Sequence, residues 1–308
     1  MPIVNTTVPI TAASCDKMIQ DIVNAYPFCR TELLTTTAFQ RPVRTLVIGQ
    51  GPRKVIYSAA HHANEWITAL VLLKFAEELA QAIQSGGEIF GRSGEEISNA
   101  ATIYMVPMVD PDGVDLVVGA IQPGNIQFDL AQRLSQDYPG IPFPDGCKPN
   151  LLGVDLNLQY PAGWLQAREI KFSQGFTRPG PRDYVGRAPL NQFESRALAG
   201  YTEFIDPALV LAYHSQGKEI YWQFQDYEVP GARELGEEFA RVSGYELTQV
   251  PYNSSFAGYK DWFIQRFRRP GYTIEVGSGV NPLPIEQFDE IYADNLGILV
   301  TAALGLEE

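Results

Sequence analysis

Apolar residues recur at every third or fourth position over 11–26, 64–85, 189–205, 231–243, 256–268 and 284–304, and this spacing predicts helices. Between them lie short runs rich in β-branched residues: RTLVIG (44–49), KVIYSAA (54–60), ATIYMVPMV (101–109), PALVLAYHS (207–215) and GYTIEV (271–276). The first two are joined by GQGP and read as a β-hairpin. The later runs are almost wholly apolar and alternate with helices, as strands covered on both faces must. The expected fold class is α/β, a single domain over 1–308 on a mixed, mainly parallel twisted sheet. No internal repeat or low-complexity linker interrupts it. The stretch 118–188 is rich in Gly, Pro and polar residues and shows little periodicity. A long irregular segment in a compact domain is usually functional, so this one is expected to wall an active site.

Composition narrows the partners. The 308 residues are 45% apolar and 19% charged, enough to bury a large core without disulfides. A net charge of −13 argues against nucleic acid and anionic membrane surfaces. Cys15, Cys29 and Cys147 are odd in number and form no C-x-x-C, so they read as reduced thiols. The opening MPIVNTTVPITAASCDKM lacks a basic region followed by an apolar core, and no apolar run reaches the roughly 20 residues that span a bilayer. The cytoplasm is the default expectation, with export or a cell-wall location open if a leader has been removed.

Two of the three histidines fall where a strand ends. His62 lies at the junction between KVIYSAA and the helix that follows, and His214 closes ALVLAY. Sites in open α/β sheets form at the carboxyl ends of strands, so both imidazoles should emerge on one rim. Glu65, three residues after His62, falls on the same turn. Two imidazoles and a carboxylate form a catalytic zinc set that leaves a position for water, and one Zn2+ per chain is expected. An H-x-x-E alone also arises by chance, and His61 competes with His62; the spacing to Glu65 favours His62 and leaves His61 to packing or support. Glu275 closes the apolar run GYTIEV, where a carboxylate either meets solvent and a salt bridge or faces a cation. At the zinc rim it would carry the proton of the attacking water.

The residues His62-Ala63-x-Glu65-Trp66-Ile67, Asp110-Pro111-Asp112-Gly113, Gly153-Val154-Asp155-Leu156-Asn157, His214-Ser215, Asp261-Trp262 and Thr273-Ile274-Glu275 resemble, in order, the motifs of the metallocarboxypeptidases. The resemblance covers residues 40–280. It implies a three-layer α/β/α fold, one zinc held by His62, Glu65 and His214, and amide hydrolysis promoted by Glu275. The sequence departs from that family where it grips a substrate's terminal carboxylate. Asn64 and Leu158 stand at the positions of two arginines, although Asn157 is retained. Losing guanidinium forks removes bidentate carboxylate recognition, which makes ordinary carboxypeptidase action doubtful.

By the same resemblance Lys148 takes the place of the arginine that stabilises the oxyanion, Tyr252 that of a mobile lid, and Lys260 that of the floor of the leaving-residue pocket. Each has a plainer reading as a solvated lysine or a packed tyrosine. HHANEWIT (61–68), GVDLNLQYPAGW (153–164), PRDYVGRAPL (181–190), LAYHSQGKEIYW (211–222), AGYKDWFI (257–264) and YTIEVGSGVNPLP (272–284) are similar to one branch, the bacterial γ-D-glutamyl-diamino acid peptidases. That branch implies a murein peptide substrate containing meso-diaminopimelate, whose side-chain carboxylate Lys260 would meet. The wall-binding repeats of some relatives do not occur in this sequence. The alternatives are a carboxypeptidase or N-acyl amino-acid amidohydrolase on the same scaffold, and a zinc-bearing binding protein; the presence of Glu275 argues against the last. The sequence does not fix an oligomeric state.

Overall fold

The computed structural model describes residues 2–306. Its strands are β1 (Arg30–Thr36), β2 (Pro42–Gly49), β3 (Arg53–Ser58), β4 (Glu88–Ile89), β5 (Arg92–Ser93), β6 (Ala101–Val106), β7 (Leu209–Ser215), β8 (Glu219–Tyr221), β9 (Glu246–Thr248) and β10 (Gly271–Val276). Its helices are α1 (Ala12–Ala25), α2 (Ile67–Ser85), α3 (Gly94–Ala100), α4 (Pro111–Val117), α5 (Ile126–Ser135), α6 (Trp164–Ser173), α7 (Phe193–Ile205), α8 (Ala232–Ser243), α9 (Tyr259–Phe267) and α10 (Phe288–Leu304). Eight strands form one mixed sheet in the order β1-β2-β6-β3-β7-β10-β8-β9, and β4 pairs with β5 alone. The four central strands β6, β3, β7 and β10 are parallel, while β1, β2 and β8 join antiparallel.

Side-chain alternation along the central strands builds two cores, one on each face. On β3, Val55 and Tyr57 pack with Leu70, Leu73, Ile298 and Leu299 from α2 and α10. Ile56 points the other way and joins Val210, Leu198, Phe263 and Ile264, which brings in α7 and α9. The sheet is therefore a middle layer with helices on both faces, as expected of an α/β/α arrangement. Among the described residues, no helix is long and apolar enough to cross a membrane.

The expected hairpin between 44–49 and 54–60 does not form. Strand β6 enters between β2 and β3, pairing antiparallel with one and parallel with the other. The glycines of GQGP serve close approach rather than a tight turn. A Cβ on Gly49 would lie 2.2 Å from the Ala101 carbonyl oxygen, and one on Gly51 would lie 2.1 Å from the Ala100 carbonyl carbon. The loop wraps the start of β6, with the Gln50 and Gly51 N–H groups donating to the Ser98 carbonyl at 2.9 and 3.0 Å. The true hairpin is the one before it, β1 with β2.

The stretch 118–188 also holds more regular structure than its pattern suggests, since α5 and α6 lie within it. Each rests on the surface and buries few side chains, Ala131 and Ser135 in one and Ala167 and Lys171 in the other, so neither carries an apolar stripe.

A buried ion network ties the N-terminal helix to this frame. The Arg41 guanidinium reaches Asp115 at 2.7 Å and Asp112 at 2.8 Å, and Asp115 also accepts from the Ala12 N–H at the start of α1 at 2.7 Å. Removing one partner of such a group leaves buried carboxylates uncompensated. Arg41→Met is expected to lower the unfolding free energy at neutral pH by about 3 kcal/mol, near the low end for buried pairs because its side chain stays 20% exposed. Urea unfolding measures this, and a loss below about 1 kcal/mol would show that water screens both carboxylates well enough without it.

Candidate active site

The parallel strands β3, β7 and β10 deliver three acidic and imidazole groups to one edge. His214 and Glu275 are register partners on β7 and β10, so their side chains leave the sheet at the same level. From β3 the chain passes through Ala60, whose φ of 48° lies in the left-handed region that a Cβ disfavours. This bend puts His62 at the cap of a short 3-10 turn (Ala63–Glu65) that leads into α2. The turn is fixed from several sides. Thr68 Oγ1 accepts from the Ala60 N–H at 3.0 Å and donates to the Glu65 carbonyl at 2.7 Å, while the Ala63 N–H donates to the Lys148 carbonyl at 2.8 Å. Gly113 backs the turn so closely that a Cβ there would lie 2.7 Å from Ala63 Cβ and 2.2 Å from Asp110 Oδ2.

Glu65 is the centre of the resulting cluster. Its Oε1 lies 2.9 Å from His62 Nδ1 and 3.0 Å from Lys148 Nζ, and its Oε2 lies 2.8 Å from His214 Nδ1. The Ser215 N–H donates to Oε2 at 3.3 Å. Burial alone would raise Glu65, but His62, Lys148 and His214 outweigh it and hold the carboxyl well below its ordinary range. Burial also works against charge on His62, yet Glu65, with Asp155 behind it, lifts that imidazole to about 9. Burial dominates at His214 and lowers it.

These groups suit a divalent cation. Ligand atoms of His62, Glu65 and His214 all lie within 4.8 Å of one another, and all three residues are buried. On its far side, His62 Nε2 sits 3.1 Å from Asp155 Oδ1. An outer carboxylate of this kind fixes a ligating histidine's tautomer and turns its other nitrogen to the metal. His61 takes no part in the cluster. Its ring stacks between His214 and Tyr259, its Nε2 lies 3.2 Å from the Tyr160 hydroxyl, and burial first, then His214 and His62, keeps it neutral.

Two cavities flank the cluster, of about 480 and 660 Å³. They meet at four residues, Lys148, Arg182, Tyr221 and Glu275, which line both. Burial raises Glu275 to about 8, with Glu65 adding to the rise and Lys148 and His62 opposing it. A carboxylate with such proton affinity beside a water-accessible cleft is suited to accepting a proton and returning it. The walls draw heavily on 118–188, including Asp145, Asp155, Leu158, Lys171 and Asp183, as the irregularity of that stretch suggested.

The remaining residues singled out in the sequence are placed unevenly. Asn157 lines the smaller cavity, with its Nδ2 3.3 Å from His214 Nε2 and its Oδ1 accepting from the Tyr259 N–H at 3.0 Å. Lys148 and Lys260 are not solvated surface lysines: the first pairs with Glu65, and the second is only 3% exposed in the wall of the smaller cavity. The Lys260 ammonium is already engaged, 2.5 Å from Asp261 Oδ1 and donating to the Gln223 carbonyl at 2.7 Å. Tyr252 does not line either cavity. It sits on a 3-10 turn (Tyr252–Ser254), 66% exposed, with its ring edge-on to Phe256, while its neighbours Pro251 and Ser254 line the smaller cavity. Leu158 lines that cavity too, and Asn64 lines the larger one. Two contributors were missed. Asp155 stood inside the GVDLN run without a role assigned, and Arg182 stood in a Gly/Pro-rich loop where a lone cation carries no periodic signal.

Comparison with known proteins agrees with this geometry. Residues 15–297 match the family model described as zinc carboxypeptidase. The chain is 43% identical over 288 residues to gamma-D-glutamyl-L-diamino acid endopeptidase 1 of Lysinibacillus sphaericus, an alignment covering 92% of this chain and 69% of that protein. It is 36% identical to YqgT of Bacillus subtilis (strain 168), covering 93% and 75% respectively. In fold it is similar to bovine thrombin-activatable fibrinolysis inhibitor, with a TM-score of 0.72 at 14% identity over 97% of both chains. With its histidine and glutamate cluster at the ends of parallel strands and a matching family model over most of its length, the chain belongs to the zinc carboxypeptidase family of peptide hydrolases, whose cofactor is Zn2+.

Proposed function

We propose that this enzyme hydrolyses the γ-D-glutamyl–meso-diaminopimelate amide of murein peptides, with His62, Glu65 and His214 as zinc ligands and Glu275 as the proton carrier. The observation that carries the chemistry is the register of β7 and β10, which sets Glu275 beside His214 at the rim of a shared cleft. The relative named gamma-D-glutamyl-L-diamino acid endopeptidase supports the substrate.

Zinc held by His62, Glu65 and His214 would supply Lewis-acid polarisation to water and to the scissile carbonyl. Asp155 holds the His62 ring in place for that task. Glu275, facing the cleft, takes a proton from the attacking water and delivers it to the leaving nitrogen, which must depart as an amine. Lys148 is anchored by one N–H on Glu65 and keeps two further donors for the oxygen that gains charge as the carbonyl becomes tetrahedral. The leaving residue would occupy the smaller cavity, where Leu158 removes the usual guanidinium and Lys260 and Asp261 form an adjoining cation and anion. The far end of diaminopimelate carries an ammonium and a carboxylate together, and such a pair can meet both. A lysine side chain offers only the ammonium.

Mass spectrometry of products from L-Ala-γ-D-Glu-meso-diaminopimelate, with and without a chelator, tests the reading directly. Cleavage at the glutamyl amide that stops on chelation is expected, and release of a terminal residue from α-linked peptides instead would overturn it. Metal analysis should find one zinc per chain, with ligand distances of about 2.0–2.2 Å to imidazole and carboxylate, and His214→Ala should lose most of it. Glu275→Gln should retain the zinc yet lose at least ~10²-fold in turnover, because the amide cannot take the water's proton; near-normal turnover would assign the base elsewhere. Lys260→Met should retain zinc but cut kcat/KM on the diaminopimelate peptide by about one to two decades, narrowing its advantage over a lysine peptide. Equal rates on the two peptides for both proteins would remove Lys260 from recognition.

A further inference from the structure

The cleft does not end at the catalytic cluster. Its smaller arm holds Lys260, and its larger arm, lined by Asn64, Asp145, Val280 and Asn281, lies beyond Lys148 and Glu275. If the leaving residue fills the first, the acyl side of the substrate fills the second. Arg182 stands where the two arms meet.

The backbone around Arg182 is tied down on both sides. The Lys148 N–H donates to the Pro181 carbonyl at 3.0 Å, and the Asp155 N–H donates to the Tyr184 carbonyl at 2.9 Å. Asp183, between them, adopts a φ of 59°, a conformation aspartate tolerates better than most residues. Its carboxylate is drawn away from Arg182: Oδ1 lies 2.6 Å from Lys171 Nζ, while Oδ2 is 3.6 Å from Arg182 Nε, beyond hydrogen-bond range. That is the one ion pair of Arg182 among the described residues, and its guanidinium makes no hydrogen bond there. The side chain is 41% exposed. A guanidinium with unspent donors, carried on a fixed stretch of backbone in a cleft wall, is suited to one ligand chemistry above others, a carboxylate held by its planar fork.

The proposed substrate carries such a group on its acyl side. In a γ-linked glutamyl residue the scissile carbonyl comes from the side chain, so the α-carboxylate remains free on a short branch. We infer that Arg182 binds this free α-carboxylate and that the enzyme therefore discriminates against glutamyl residues whose α-carboxyl is amidated. The inference rests on the murein-peptide reading and adds to it a specificity-determining residue.

The test compares L-Ala-γ-D-Glu-meso-diaminopimelate with the same peptide bearing an α-carboxamide on the glutamyl residue. Wild type should prefer the acid by about 3- to 10-fold in kcat/KM, the low end for a charge-assisted hydrogen bond because the Arg182 side chain is partly exposed and water screens its charge. Arg182→Met should retain zinc and bring the acid-to-amide ratio close to one, and Arg182→Lys should restore part of the preference. Wild type that cleaves acid and amide equally would overturn the inference while leaving the proposed function standing. So would Arg182→Met losing equally on both peptides, since that marks a role unrelated to the carboxylate. Wild type that cleaves neither peptide yet hydrolyses α-linked substrates would overturn the proposed function and this inference together.

Discussion

Burying the Glu65 carboxylate on the turn beyond the end of β3 would cost several kcal/mol unless each oxygen met a charge or a donor. Oε1 meets His62 and Lys148, and Oε2 meets His214 and the Ser215 N–H. Glu65 also precedes the 19-residue helix α2, whose N-terminal field favours an anion. Satisfying this one group sets the positions of nearly everything else at the site. His214 must end β7 at the level of the 3-10 turn, and Lys148 must return from the irregular stretch to the same point. Asp155 must hold His62 from behind.

The same requirement explains the distribution of proton affinities. Charges packed around one anion cannot all titrate as they would in water: the surrounding cations keep Glu65 ionised, while burial, with the Glu65 anion adding to it, drives Glu275 the opposite way. The two neighbouring carboxylates are thereby separated in proton affinity, which under the proposed function suits Glu65 to holding a cation and Glu275 to exchanging protons. A divalent cation added to the cluster would stabilise both anions and bring Glu275 down from that level.

The legible parts of the sequence were those carried by period and by strand ends. Apolar runs located β7 and β10 closely, and because a strand ends where its apolar run ends, His214 and Glu275 could be placed on one rim. The hairpin failed because a glycine permits a tight turn and a close approach alike, and local sequence does not say which. Helices α5 and α6 were hidden because surface helices need no stripe. The partners of Lys260 were out of reach for another reason. Gln223 lies in a separate loop and meets Lys260 through its carbonyl, a group every residue possesses. Tyr252 stands on a turn whose residues Pro251 and Ser254 line the cleft, while its own exposed ring lies edge-on to Phe256, a placement that its position in the chain alone does not specify.

The intercalation of β6 between β2 and β3 also constrains how the chain reaches its fold. Neighbouring strands in sequence are left apart by the width of one strand, and the gap is filled by residues 101–106, made only after all of α2 has been synthesised. Until then β2 and β3 each present an unpaired edge, the situation in which strands recruit wrong partners. The long helix α2, which lies between β3 and β6 in sequence, packs against the same core as both strands and covers one face of them. Vectorial synthesis thus exposes a period of vulnerability that ends when β6 enters its slot, and the two glycines at 49 and 51 keep the slot's entrance wide enough for it to do so.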